Sequence, residues 1–186
     1  MDRIKDYVLD GKIDSAIDYC ENQSTPLGRM LKKGIGKIGK PMKEISASIE
    51  NIGKLEVYKL EKGLSILERT GNEYEAAKNY NNLAILYYQT DLSRSAAYFE
   101  RALTTMQRLG NVGEEADAYL NLGTVHYAQG NYALAIEYYQ HSLTMCKRLG
   151  HNPGIADCHI NLGEVYRAQG DLNQAIVHLE EGLRIA

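Results

Sequence analysis

The chain has 186 residues, 44% of them hydrophobic and 24% charged, with a net charge of −3 at neutral pH. That balance excludes disorder as the default state and suits one compact domain or a short repeat array. No stretch approaches the roughly 18 uninterrupted apolar residues that a membrane span needs, and the opening Asp2-Arg3-Ile4-Lys5 lacks a signal peptide's apolar region, so a cytoplasmic protein without membrane insertion is expected.

Residues 1–70 carry 13 Lys and Arg against 11 Asp and Glu, and residues 71–186 carry 8 against 13. Neither half has the strongly basic footprint of a nucleic-acid binder, so no nucleic-acid partner is expected. Three widely separated cysteines, Cys20, Cys146 and Cys158, suggest neither a disulfide framework nor a zinc site. In chain order, spacing predicts short helices near Arg3 to Leu9, Ile13 to Cys20 and Pro26 to Ile35. A long helix then starts after Pro41 and reaches toward Thr70, with Ile45, Ile49, Ile52, Leu55, Leu60, Leu64 and Leu67 recurring mostly every three or four residues. Between the third and the long helix, Gly34, Gly36 and Gly39 spell GxGxxG. A helix precedes the string and Pro41 follows it, whereas a dinucleotide fingerprint needs a preceding strand, so it reads as a helix-ending turn.

In this segment Gly11-Lys12-Ile13-Asp14-Ser15-Ala16 with Cys20, Thr25-Pro26-Leu27-Gly28-Arg29-Met30, and Ile49-Glu50-Asn51 with Glu56 and Lys59-Leu60-Glu61-Lys62-Gly63-Leu64 form a pattern. It resembles the cytoplasmic portion of the MotA/TolQ/ExbB proton-channel family, closest to its ExbB-type members. In that family the long helix continues into the membrane. Here the sequence switches at about Leu67 to Glu68-Arg69-Thr70-Gly71-Asn72, so the resemblance implies ancestry, as a natural or engineered fusion, and no proton conduction.

The second segment repeats itself. Asn121-Leu122-Gly123 recurs as Asn161-Leu162-Gly163, and Ala128-Gln129-Gly130-Asn131 as Ala168-Gln169-Gly170-Asp171, each forty residues on; Asn82-Leu83-Ala84 is an earlier copy. Helical spacing and fixed turn signals make each copy a helical hairpin. In the middle copy the first helix is expected from about Glu114 to Gln129, Gly130 makes the turn, and Asn131 caps a second helix that runs to about Leu149. Asp91 and Asp171 hold the same capping place, and Asn152 with Pro153 marks the start of the third copy.

Tyr119, Leu122, Gly123 and His126, then Ala135, Tyr139 and Ser142, resemble the tetratricopeptide repeat family, as do His159, Leu162, Gly163 and Tyr166 with Ala175, Leu179 and Gly182. The first copy, Tyr80, Leu83, Ala84, Tyr87, Ser95, Phe99 and Ala102, departs mildly at Ala84 and Ser95. The resemblance implies an all-α fold, an α-solenoid of tetratricopeptide-like hairpins preceded by a helical segment that ends in one long helix. The expected division is residues 1–62 and residues 63–186, with repeats at about 71–110, 111–150 and 151–186. A small residue at Gly123 or Ala135 admits a neighbouring helix and Tyr139 fills the gap beside it, so no hairpin buries its apolar face alone. The face around Ile176, Leu179 and Leu183 is expected to be an assembly surface or a truncation scar.

No catalytic constellation is found, and neither an enzyme, a cofactor nor a metal site is expected. The histidines, His126, His141, His151, His159 and His178, show no HExxH or ligand pairing; His126 and His159 hold aromatic positions and read as packing. Cys158 and His159 are neighbours on a helix, about 100° apart, and cannot readily share a proton. The favoured site is the asparagine at one helical position in all three copies, Asn82, Asn121 and Asn161. The resemblance places these on a concave groove, where an amide offers donors and an acceptor to a peptide backbone; the alternative is that they tie adjacent helices together. Ile85, Thr124 and Glu164, then Tyr88, Tyr127 and Arg167, fall near the same face, with Lys78, Asp117 and Asp157 four residues before each asparagine in the first two copies and the third. The expected partner is a protein or peptide ligand. The second expectation is an assembly module, a homo-oligomer through the long helix or the uncapped C-terminal face.

Overall fold

The computed structural model describes residues 2–23 and 25–185. Among these are ten helices and no strand: α1 (Asp2–Leu9), α2 (Ile13–Asn22), α3 (Pro26–Ile35), α4 (Met42–Thr70), α5 (Glu73–Tyr87), α6 (Leu92–Leu109), α7 (Val112–Ala128), α8 (Tyr132–Leu149), α9 (Asn152–Gln169) and α10 (Leu172–Ile185). The all-α class expected from spacing is the class observed. The chain divides into two compact units, Met1–Gly63 and Leu64–Ala186.

The first unit packs around Ala16, Cys20 and Ile35, with Ile4, Tyr7, Val8, Ile13, Ile17 and Leu31 against them. Thr25 starts α3 by accepting the Gly28 N–H at 3.0 Å, with Pro26 at the first helical position, where a missing N–H costs nothing. The GxGxxG string is indeed a turn between helices: Gly36 caps α3 and Gly39 has φ +93°. Gly34 serves close approach instead, since a Cβ there would lie 2.6 Å from Ile49 Cδ1 of α4.

The second unit is three helical hairpins, α5/α6, α7/α8 and α9/α10. Each gap between paired helices is closed as the pattern requires. A Cβ on Gly123 would sit 2.6 Å from the ring of Tyr139, which is wholly buried, and one on Gly163 would sit 2.6 Å from Leu179 Cγ. In the first hairpin the departure at Ser95 is accommodated because its hydroxyl donates to the Ala84 carbonyl at 2.8 Å. The last turn of α4 joins this unit: Glu68 accepts from the Tyr80 hydroxyl at 2.5 Å and from Arg101 at 2.9 Å.

Two caps differ from expectation. Asn131 does precede α8, but its side chain makes no capping bond and its amide donates to Gln129 Oε1 at 3.2 Å. At α9 the cap residue is His151; Asn152 already belongs to the helix, one residue earlier than predicted. The aspartates behave as expected, Asp91 accepting from the Arg94 N–H at 3.0 Å and Asp171 from the Gln174 N–H at 3.1 Å.

Candidate functional site

The first helices of the hairpins, α5, α7 and α9, carry every residue of the predicted groove except Tyr88, which caps the end of α5. Asn82, Asn121 and Asn161 are each half-buried. Lys78, Asn82 and Asn121 meet in one cleft of about 300 Å³ between α5 and α7, together with Asn81 and Asp117. Asn81 was missed by sequence reasoning, although it stands forty residues before Asn121 whereas Asn82 stands 39 before it. The Asn121 amide donates to the Asn81 carbonyl oxygen at 3.3 Å, so at least this asparagine also ties adjacent helices together.

The remaining groove residues are placed elsewhere. Thr124 donates to the Leu120 carbonyl at 3.0 Å and accepts from the Tyr139 hydroxyl at 3.2 Å, which engages its hydroxyl between α7 and α8. Tyr127 packs with Tyr132 against the cluster of Ala135, Tyr139, Leu162 and Val165. Tyr88 lines a separate recess with Gln89, Asp91 and Gln129 at the hairpin turn. Arg167 is held by Glu164 of its own helix through Nε at 3.1 Å and a terminal nitrogen at 2.6 Å, so this basic end of the predicted groove is already matched by a carboxylate.

Charge in the cleft is mixed. Lys78 lies 3.2 Å from Glu75 and 5.5 Å from the Tyr74 ring centroid. Desolvation, then the nearby Glu114, raises the Asp117 carboxyl above the ordinary aspartate range, with Asp157 adding to it and His151 opposing. A cation or a hydrogen-bond donor from a ligand would relieve that site.

The cysteine–histidine pair carries no nucleophile. Cys158 is buried and donates to Ser142 Oγ at 3.3 Å, and burial pushes its thiol up to about 12, so it stays protonated at neutral pH. His159 turns instead toward His178, with Nδ1 to Nδ1 3.1 Å apart. Among the described residues no group of three or more His, Cys, Asp or Glu is placed to hold a metal ion.

A feature absent from the sequence reading is a trio of packed rings in every hairpin, two rings from the first helix with one from the second between them. The trios are Tyr80, Tyr98 and Tyr87, with centroids 6.3 and 5.7 Å apart; Tyr119, Tyr138 and His126, at 6.1 and 5.3 Å; and His159, His178 and Tyr166, at 5.1 and 5.4 Å. The signal was present as Tyr98, Tyr138 and His178, spaced forty residues apart.

Two family models, both described as tetratricopeptide repeat, match residues 80–146 and 114–186. Among curated proteins none matches the chain. Of solved structures, BtubC (BKLC) from P. vanneervenii is 24% identical with a TM-score of 0.66, the match covering 98% of this chain and 76% of that one. MamA is 19% identical with a TM-score of 0.55, covering 100% of this chain and 95% of that one. At such identities the likeness is one of fold. With hairpin geometry, gap-filling residues and both family models in agreement, residues 80–186 carry tetratricopeptide repeats.

Proposed function

We propose that this protein, a protein–protein interaction scaffold, binds an extended peptide or partner segment along the face formed by α5, α7 and α9. The observation that carries the reading is the cleft of about 300 Å³ where Lys78, Asn82 and Asn121 converge with Asp117. That volume is at the small end for a ligand site and fits one or two side chains of a peptide that continues across the face. Amides suit a backbone ligand because each supplies two donors and an acceptor.

The test is a pull-down from lysate with the wild-type chain beside an Asn82→Ala/Asn121→Ala/Asn161→Ala variant, after circular dichroism shows equal helix content. Each lost amide bond costs roughly 0.5–1.5 kcal/mol, so the triple variant should bind about one to three orders of magnitude more weakly. A partner held equally by both chains would sink the reading and leave the asparagines as ties between helices.

A second reading, self-association, is favoured by α10. Leu172, Ile176 and Leu183 are 62%, 54% and 73% exposed. Their counterparts forty residues earlier, Tyr132, Ile136 and Leu143, pack against the cluster holding Leu162 and Val165 of α9. An oligomer in sedimentation that dissociates on Ile176→Asp would support it; a monomer at high concentration would end it. For residues 1 to about 67 the kinship with proton-channel cytoplasmic regions is a proposal of ancestry alone, and no described helix is long and apolar enough to cross a membrane.

A further inference from the structure

The first unit has a charge distribution that the repeat array does not use. Residues 29–43 hold Arg29, Lys32, Lys33, Lys37, Lys40 and Lys43 without one acidic residue. Four of these, joined by Lys59 of α4, surround a cleft of about 430 Å³. Its wall is apolar, made by Ile17, Ile52 and Leu55, and Leu55 is 44% exposed.

The cations at this cleft are not equivalent. Glu56, the acid lining it, is only 2% exposed and is paired with Arg29 and, at 3.2 Å, with Lys59. Lys32 lies 2.5 Å from Glu21. Lys33 and Lys37 have no acidic partner among the described residues, so the cleft keeps a surplus of positive charge beside an uncovered apolar wall.

That combination discriminates among anions. Inorganic phosphate would use the lysines and leave the apolar wall wet. Single-stranded nucleic acid favours aromatic platforms for its bases, and no aromatic residue lines this cleft. A lipid surface is met by a cluster of about four or more basic residues, whereas at this cleft Arg29, Lys32 and Lys59 are already paired with carboxylates and only Lys33 and Lys37 remain. We infer that the cleft between α3 and α4 docks an acidic segment of a protein partner, which sets one apolar side chain against Ile52 and Leu55 and places carboxylates on Lys33 and Lys37. Electrostatic complementarity of this kind orients and speeds the encounter, and the apolar anchor holds it.

The experiment is fluorescence anisotropy of the full chain with a fluorescein-labelled synthetic helix of glutamates and leucines. Two control peptides carry Gln for each Glu or Ser for each Leu. Saturable binding is expected for the first peptide, weaker by about tenfold or more for either control and for the Lys33→Glu/Lys37→Glu chain, whose helix content should be unchanged. The Asn82→Ala/Asn121→Ala/Asn161→Ala chain should bind as wild type does, which separates this site from the repeat groove. The inference is overturned by absence of saturable binding, by equal binding of the Gln or Ser peptide, or by indifference to the lysine reversal. Displacement of the peptide by lower concentrations of single-stranded RNA, or of phosphatidylglycerol vesicles, would likewise overturn it in favour of that polyanion.

Discussion

The second hairpin, α7 and α8, and the third, α9 and α10, repeat one another at forty residues, yet they fill the same gap with different side chains. Tyr139 lies against Gly123 in the one, and Leu179 lies against Gly163 in the other. Tyr139 is wholly buried and its hydroxyl donates to Thr124, whereas Leu179 is half-buried. The ring trio changes too, from Tyr119, Tyr138 and His126 to His159, His178 and Tyr166. The repeat therefore dictates the shape of a gap rather than the residue that fills it, and the surroundings decide how much each filler is worth.

Truncating the two fillers is the strongest way to test this. Tyr139→Ala should cost about 3–5 kcal/mol, as for a buried aromatic that leaves a cavity, while Leu179→Ala should cost about 2 kcal/mol because part of that side chain is already in water. Urea midpoints of the two variants measure the difference. Equal losses would break the distinction between the hairpins and show that the third gap is as closed as the second.

The opposite substitution sharpens the comparison at lower cost. Ala favours a helix over Gly by about 1 kcal/mol, but overpacking a filled site costs about 1–3 kcal/mol. At Gly123 the ring of Tyr139 has no room to withdraw, so Gly123→Ala should lose about 1–2 kcal/mol net. At Gly163 a Cβ would meet Leu179, which is half-buried and can give way, but also the Ala175 carbonyl oxygen at 3.2 Å, so Gly163→Ala should lose about 0–1 kcal/mol net, less than at Gly123. Thermal unfolding followed by circular dichroism reports both.

These contrasts mark how far the sequence could be read. The hairpins were legible because Asn-Leu-Gly and Ala-Gln-Gly recur at fixed spacing and because glycine opposite a large residue has a simple steric meaning. Gly130 and Gly170 stand at φ +78° and +84°, where the turn signals put them. The site was less legible, since groove residues are defined by which way a side chain leaves its helix. Thr124 turns to Tyr139, Arg167 folds back on Glu164, and Asn121 reaches Asn81 rather than Asn82. Asn131 likewise precedes α8 without capping it, its side-chain NH2 donating back to Gln129 instead. The ring trios escaped because their middle member comes from the second helix, whose rotation against the first is not fixed by spacing along the chain.

The smallest effect concerns acid, and it separates the third hairpin from the first. The trio of the first hairpin, Tyr80, Tyr98 and Tyr87, holds no histidine, whereas in the third His159 and His178 face each other at 3.1 Å. A proton can be shared along that contact, but two imidazolium ions cannot occupy it. Burial holds both histidines below the ordinary value of 6.5, with His178 and Lys147 of α8 acting further on His159 and Lys147 on His178; Glu181 of α10 opposes the shift at His159. Because the unfolded chain then binds protons more readily than the folded one, stability is full above about pH 6.5 and falls as pH drops through the lowered values. Thermal midpoints should therefore decline from pH 7.5 to pH 5 by more than in His159→Tyr/His178→Tyr, which rebuilds the ring composition of the first hairpin at these positions. An identical decline in both chains would place the acid sensitivity elsewhere and reduce the histidine pair to flat rings that happen to pack.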